Sequence, residues 1–196
     1  MLPVDQTCFE NEIDFLLKEI SPTDLSNERR RDITNYITNA IAPTSDRVFG
    51  IGSNILKCYL PEGDIDMVVM TEHSNDDVKH TLSSIFLSLF HIVHNSNNNN
   101  NNDDNNRLYS NTTDNMIIRN IEYVNARTNL IHCVVNNTHI DLTVNQIGAV
   151  GSVVFLEEID RMIGFDHLFK RSILLIKVSI WLYMYDIYVC ICFCAI

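Results

Sequence analysis

The sequence lacks an excess of basic residues. Its 196 residues include 14 lysines and arginines against 25 aspartates and glutamates, which gives a formal net charge of −11 at pH 7. Proteins that hold nucleic acid mainly through its phosphates carry a basic surface. The charge therefore argues against tight, sequence-independent binding of nucleic acid by this chain alone.

A secretory signal is also missing. The start, Met1-Leu2-Pro3-Val4-Asp5, has neither the basic region nor the apolar region and cleavage site that such a signal requires. We expect an intracellular protein, in the nucleus or the cytoplasm, whose six cysteines stay reduced. The 46% of hydrophobic residues are enough for the core of one ordinary domain.

Two common phosphate-binding motifs are absent. Gly50-Ile51-Gly52 lacks the third glycine of a dinucleotide fingerprint, and no Gly-Lys-Ser/Thr follows to make a P-loop. What is present is Gly52-Ser53 and, eleven residues after Ser53, Asp64-Ile65-Asp66 at the start of an apolar run. On a strand, both carboxylates would share one face and the alternate residues would enter a core. Such a pair calls for a cation, although Asp-x-Asp alone is also common at solvated strand edges.

Apolar periodicity predicts a chain of alternating helices and strands. Helices are predicted over 6–19, from 21 to a stop at Pro43, and over 54–58, 75–93, 150–163 and 167–180. Strands are predicted at 48–51, 64–71, 117–125, 129–135 and 139–144. Asn136-Asn137 suits a tight hairpin between the last two strands, because asparagine tolerates positive φ. On the final strand His139, Asp141 and Thr143 share one face, which supplies a third carboxylate.

The second helix is predicted from its own start signal. Ser21 is expected to be the N-cap, followed by proline at the first helical position, with Asp24 reaching back to free amides. Its apolar stripe is expected to contain Leu25, Ile33, Ile37 and Ile41. The run of arginines at 29–31 is expected to face water, with contact to RNA as the less favoured alternative.

Residues 95 to 106 are nearly all asparagine with two aspartates. Such a tract buries nothing, so we predict a disordered insertion that extends over 95–115.

The three aspartates and their surroundings resemble the nucleotidyltransferase superfamily, which includes poly(A) and terminal uridylyl polymerases and oligoadenylate synthetases. The resemblance rests on Gly52-Ser53, on Leu60-Pro61 before Asp64-Ile65-Asp66, and on the segment from Ile140 to Gly148 that carries Asp141. The segment from His167 to Lys177 is similar to the helix that opens the central domain of that family. The resemblance covers about residues 20 to 178, apart from the Asn tract.

The resemblance implies an α/β (α+β) fold, a nucleotidyltransferase palm whose small mixed β-sheet is backed by helices. The implied organisation is N-terminal helices at 1–44, the palm at 45–146, the first helices of a truncated helical central domain at 147–178, and an aberrant apolar tail at 179–196. It further implies an enzyme that adds nucleotides from an NTP to an RNA 3′-hydroxyl.

The resemblance implies roles for six residues. Asp64, Asp66 and Asp141 would be catalytic and would hold Mg²⁺ or Mn²⁺, hard cations that prefer carboxylate oxygen. Gly52, Ser53 and Lys177 would bind the nucleotide, the first two through close backbone approach and amides at a helix start, and the lysine as a point charge on the outer phosphates. The partners implied are the NTP and a weakly bound RNA acceptor. Which NTP is used stays open.

Two features depart from the family pattern. Lys57 stands where the family usually has a glycine, four residues after the motif serine. After Lys177 the chain becomes apolar without a polar stripe, and Val178-Ser179 can be encoded by the consensus start of an intron. We expect intron read-through and a longer natural product. The rival is a membrane anchor over 173–196, which Lys177 and Asp186 interrupt, so no stable membrane association is expected.

Other functions remain open on the same fold. One is a catalytically inactive module, or truncated gene product, that binds partners. Another is a transferase that makes a nucleotide second messenger or modifies a protein, which would keep the metals and change the acceptor.

Overall fold

The structure, a computed structural model, describes residues 6–42, 47–71, 78–98 and 116–194. Its elements in chain order are α1 (Gln6–Ile20), α2 (Asp24–Ile41), β1 (Arg47–Ile51), α3 (Gly52–Leu56), β2 (Ile65–Met70), α4 (Val78–Asn98), β3 (Ile118–Val124), β4 (Leu130–Val135), β5 (Thr138–Val144), α5 (Ile147–Ile163) and α6 (Leu168–Cys194). The predicted order of helices and strands is confirmed, with shifted boundaries.

The five strands form one mixed sheet in the order β1-β2-β5-β4-β3. β2 and β5 run parallel, whereas every other neighbouring pair is antiparallel. Parallel neighbours need a crossover connection, which here contains α4 together with β3 and β4. The small mixed sheet backed by helices agrees with the fold class predicted from the sequence.

One face of the sheet is buried against α2 and α4. Alternate residues of the strands enter this core, and Ile65, Met67 and Val69 of β2 are fully buried, as predicted. They meet the buried helix residues Ile33, Ile37, Ile41, Leu82, Ile85 and Leu89. Each buried aliphatic side chain contributes about 1.5–3 kcal/mol. Because side chains alternate along a strand, Asp66 and Asp141 project from the opposite face.

A second cluster joins α1 to the C-terminal helices. Leu17 of α1, Leu56 of α3 and Leu174 of α6 are buried together with Cys58. This packing brings α6 against the segment that follows β1, a neighbourhood that no local pattern could predict.

The start of α2 differs from the prediction. Thr23, not Ser21, is the N-cap, because its side chain accepts from the amide of Ser26 and the Ser26 hydroxyl accepts from the amide of Thr23. This is a reciprocal capping arrangement. Leu25 is 76% exposed rather than part of the stripe. At about 100° per residue it lies about 120° around the helix from Ile37, the middle one of the three buried isoleucines.

Arg30 is a further correction. It was expected to face water with Arg29 and Arg31, but it is buried. It lies seven residues before Ile37, about two helical turns, and therefore points along the apolar stripe.

The turns and the longest helices complete the comparison with the sequence. Asn136 and Asn137 have φ of 47° and 64°, so the predicted tight hairpin is confirmed. α4 continues through Asn98, into the first residues of the predicted insertion, whose remainder at 99–115 lies outside the described residues. α6 extends well beyond the predicted end at residue 180. Within the part of the chain that is described, no helix is both long and apolar enough to cross a membrane.

Candidate functional site

Two carboxylates from separate strands are direct neighbours on the face of the sheet opposite the core that packs on α2 and α4. Asp66 of β2 lies opposite Asp141 of β5 in the parallel register. Asn145 holds this register at the strand ends, since its amide donates to the Val69 carbonyl at 2.9 Å and its Oδ1 accepts from the Thr71 amide at 2.9 Å. The pairing joins residues that are far apart in the sequence.

Asp64 lies one residue before β2 and is exposed. The loop that carries it is held by Arg30, whose Nη2 donates to the Gly63 carbonyl at 2.5 Å and whose Nη1 donates to the Asp64 carbonyl at 3.3 Å. The guanidinium also lies over the ring of Tyr59, 3.9 Å from its centroid. A buried arginine thus fixes the backbone from which the first carboxylate projects.

Gly52 lies where β1 passes into α3. Its φ of +64° lies in the left-handed region, and a Cβ on Gly52 would lie 2.6 Å from Oδ2 of Asp66. Only glycine leaves room for that carboxylate. Ser53 follows directly, and its carbonyl accepts from the Cys58 amide at 3.1 Å.

Lys57 ends α3 in the left-handed conformation, with φ 57° and ψ 33°. A glycine, the residue that the resemblance leads one to expect at this position, would adopt this conformation without strain. Burial lowers the pKa of Lys57, and the charges of Arg31 and Arg30 lower it further.

Lys177 of α6 reaches the same region across the sequence. Its Nζ donates to the Cys58 carbonyl at 2.8 Å, just after the α3 turn. The charge of Lys177 also lowers the pKa of Asp66, so the two groups interact electrostatically. The structure therefore brings all six predicted residues to one region.

The electrostatics of Asp66 are unfavourable to its anion. Burial raises the pKa of Asp66, and the charges of Asp141 and Asp64 raise it further, whereas Lys177 acts in the opposite direction. A cation near these carboxylates would relieve that repulsion.

His132 was missed by the sequence reasoning. Its Nδ1 lies 2.7 Å from Oδ1 of Asp141, and it lies directly opposite Asp141 on β4. A signal was present, because a two-residue hairpin at Asn136-Asn137 fixes the strand pairing and places residue 132 opposite residue 141.

The donor set has the chemistry of a Mg²⁺ site, since it consists of carboxylates. The described residues nevertheless contain no group of three or more His, Cys, Asp or Glu side chains that converge to hold a metal ion. Oδ1 of the Asp141 carboxylate is directed to His132, which leaves Oδ2 as the oxygen free of that bond.

A cavity of about 600 Å³ opens beside Asp64. One wall is the loop that leads to Asp64, and the other is α6, which contributes Val178 and Trp181. Its volume lies in the range of small-molecule sites.

Most of the chain matches a known sequence family. Residues 9–157 match the family described as "Poly(A) RNA polymerase, mitochondrial-like, central palm domain". No curated protein sequence was similar enough to the chain to count as a match.

Solved structures share the fold at low identity. A cytoplasmic RNA terminal U-transferase is 14% identical, with a TM-score of 0.63 over 88% of this chain and 44% of that chain. Cid1, an RNA terminal uridylyl transferase, is 15% identical with a TM-score of 0.64 over 86% and 45%. GLD-2, solved with RNP-8, is 14% identical with a TM-score of 0.56 over 74% and 50%. The chain thus spans half the length of these proteins or less.

Proposed function

The chain belongs to the family of mitochondrial-like poly(A) RNA polymerase central palm domains, and we propose that it transfers a nucleotidyl group from an NTP to an RNA 3′-hydroxyl. The family and the shared fold confirm the resemblance to the nucleotidyltransferase superfamily and the predicted palm. We place the reaction inside the cell, in the nucleus or the cytoplasm.

The observation that carries the proposal is the pairing of Asp66 with Asp141 in one sheet register. Asp64 precedes the first of them by two residues, and Gly52 presents bare backbone to the carboxylate of Asp66. Carboxylates gathered beside a glycine turn are suited to hold a cation against a phosphate group.

We propose Mg²⁺, or Mn²⁺, as the cofactor, with Asp64, Asp66 and Asp141 as the residues that would hold it. When bound, a divalent ion supplies charge that offsets the negative charge on the phosphoryl oxygens. The raised pKa of Asp66 supports this assignment, because the site disfavours an unneutralised carboxylate. The similar protein Cid1 has been solved with MgGTP bound.

The chain's own residues then position the reactants. Asp141 would accept the proton of the RNA 3′-hydroxyl. The hydroxyl oxygen would then bond to the α-phosphorus of the NTP while the bond from that phosphorus to the bridging oxygen of pyrophosphate breaks. Backbone amides that follow Gly52 and Ser53 would donate to phosphate oxygens, and Lys177 would approach the outer phosphates. The cavity between the Asp64 loop and α6 offers space for the nucleoside.

A second candidate is an inactive palm that only binds partners. It is favoured by the lack of a converged metal group in the described ranges. The acidic chain would bind RNA weakly in either case.

A labelling experiment separates the two candidates. The chain is incubated with Mg²⁺, labelled ATP or UTP, and an oligoribonucleotide, and extension is read on a denaturing gel. We expect the unsubstituted chain to extend the acceptor, and so should the control variant Asp32→Ala, which changes an exposed aspartate of α2. The extension activity should fall at least about 100-fold in the double variant Asp64→Ala, Asp66→Ala. If the unsubstituted chain extends no acceptor, the transferase proposal is wrong. It is also wrong if the double variant extends the acceptor as well as the unsubstituted chain does.

A further inference from the structure

The face of the sheet that carries Asp66 and Asp141 also carries a line of three polar side chains, not all of which the proposed reaction uses. Asp141 is the first, His132 lies opposite it on the neighbouring strand, and His139 lies diagonally beyond. Nδ1 of His132 is 2.7 Å from Oδ1 of Asp141, and Nε2 of His132 is 3.2 Å from Nδ1 of His139. The centroids of the two imidazole rings are 5.2 Å apart.

The hairpin explains why these groups meet. β4 and β5 are joined by the turn at Asn136-Asn137, so His132 pairs with Asp141 and Val134 pairs with His139. Side chains that share one face of antiparallel strands contact their opposite and diagonal neighbours. The arrangement is therefore built into the most local part of the sheet.

The hydrogen bonds assign a direction to the line. A carboxylate can only accept, so Nδ1 of His132 carries the hydrogen that it donates to Asp141. Nε2 of a neutral His132 is then an acceptor, and Nδ1 of His139 donates to it. His139 thus orients the ring of His132, and His132 orients the carboxylate of Asp141.

The position of Asp141 needs such support. Its neighbour in the register is another aspartate, Asp66, and like charges on adjacent strands repel each other. His132 lies on β4, on the other side of β5 from β2 and Asp66. It engages Oδ1 of Asp141 and leaves Oδ2 free of that bond. Both side chains are only partly exposed, with His132 at 25% and Asp141 at 29%, so water competes weakly for this bond.

We propose that His132 is a positioning residue for the proposed nucleotidyl transfer. It holds the Asp141 carboxylate in the orientation in which Oδ2 serves the reaction and the divalent cation. The inference rests on the proposed function, since it assigns Asp141 a part in that site. Hydrogen-bond partners of ligating carboxylates commonly matter 10–100-fold for metal affinity or activity.

Two substitutions of nearly equal shape test the hydrogen bond itself. His132→Asn retains an N–H donor close to the position of Nδ1, whereas His132→Leu fills similar space without a donor. A role limited to packing would affect both variants equally. His139→Leu is the control, because it removes the outer bond and keeps the bond to Asp141.

Two readouts are needed, one of them independent of turnover. The first is kcat and KM for ATP and UTP with Mg²⁺ and an oligoribonucleotide acceptor. The second is Mn²⁺ binding, followed by electron paramagnetic resonance without nucleotide. We expect His132→Leu to lower kcat by about 10–100-fold with little change in KM, and to weaken Mn²⁺ binding. His132→Asn should restore most of both losses, and His139→Leu should show a smaller loss than His132→Leu.

The outcomes keep the two proposals apart. If the unsubstituted chain is active but His132→Leu and His132→Asn have the same kcat and the same Mn²⁺ affinity, the positioning role of His132 is wrong and the proposed function stands. If the unsubstituted chain is inactive but binds Mn²⁺, the proposed function is wrong; weaker Mn²⁺ binding by His132→Leu than by His132→Asn would then support only the orientation of Asp141 by His132, and equal affinities would overturn that as well. If the unsubstituted chain neither reacts nor binds Mn²⁺, both proposals are overturned.

Discussion

Gly52 and Asp66 approach so closely that a methyl group on Gly52 would lie 2.6 Å from Oδ2 of Asp66. Gly52 also has a φ of +64°, which side chains rarely adopt. The contact ties the turn after β1 to a carboxylate of β2, and it makes the glycine a condition for the placement of the proposed metal ligand.

The substitution Gly52→Ala should therefore damage activity more than stability. The new methyl group would displace the carboxylate of Asp66 and strain the backbone by about 1–2 kcal/mol. We expect the extension activity to fall by more than about tenfold while the chain remains folded at room temperature. Gly148→Ala in α5 is the control, since a Cβ there meets nothing within 4 Å. Equal activity in the two variants would contradict the close contact.

Lys57 offers a stabilising substitution. It adopts the left-handed conformation at the end of α3, which costs a residue with a Cβ about 1 kcal/mol. Lys57→Gly should raise the melting temperature through relief of that strain, whereas Lys57→Ala should not, although both remove the charge. Thermal unfolding by circular dichroism compares them. An equal rise in the melting temperature of both variants would show that charge, not backbone strain, limits this turn.

Arg30 should not tolerate even a conservative exchange. Its planar guanidinium donates to the carbonyl oxygens of Gly63 and Asp64 and stacks on Tyr59, which a lysine ammonium cannot reproduce. We expect Arg30→Lys to lower the free energy of unfolding by about 1–3 kcal/mol, as measured by urea denaturation. Arg31→Lys, at an exposed position of the same helix, should change it by less than about 0.5 kcal/mol. Similar effects in both variants would refute the role of Arg30 in holding the Asp64 loop.

The charge of Asp66 should lower the stability of the fold at neutral pH. Burial and the neighbouring carboxylates raise the pKa of Asp66 above its ordinary value near 3.8, so the unfolded chain releases this proton first as the pH rises. The charged side chain therefore destabilises the folded state at neutral pH and has no such effect at acidic pH, where it is protonated in both states. Without divalent ions, Asp66→Asn should stabilise the fold at neutral pH by about 0.5–1 kcal/mol, a value reduced by solvent screening of the half-exposed group.

Thermal melts across acidic and neutral pH measure this difference, with Asp32→Asn at an exposed position as the control. The advantage of Asp66→Asn should disappear as the pH falls below the raised pKa of Asp66. A constant advantage at every pH would show that the repulsion between carboxylates is not its cause.

Local patterns predicted much of the fold. The alternation at Ile65, Met67 and Val69 predicted the buried face of β2, because side chains alternate along any strand. The hairpin at Asn136-Asn137 was predicted because two adjacent residues must adopt positive φ there. The pairing of His132 with Asp141 follows from that turn, although the polar contact was overlooked.

Arg30 shows how a local rule fails. Its charge predicted a solvated position, yet its place in the helical period is that of a buried residue, and the carbonyl oxygens that satisfy it come from the loop before β2. The pattern of α2 alone could not supply those partners. The predicted domain division at 44, 146 and 178, and the expectation that the tail is not genuine, stay predictions.

By itself the sequence determined which residues could share a face, since the helical and strand periods depend only on the order of residues. It identified Asp64, Asp66, Asp141, Gly52, Ser53 and Lys177 as a set through resemblance. Only the tertiary structure decided that β2 lies beside β5, that Lys177 reaches the Cys58 carbonyl, and that His132 engages Asp141. The physical reason is that strand order and helix docking depend on the packing of segments that are far apart in the sequence, and no short stretch of sequence specifies that packing.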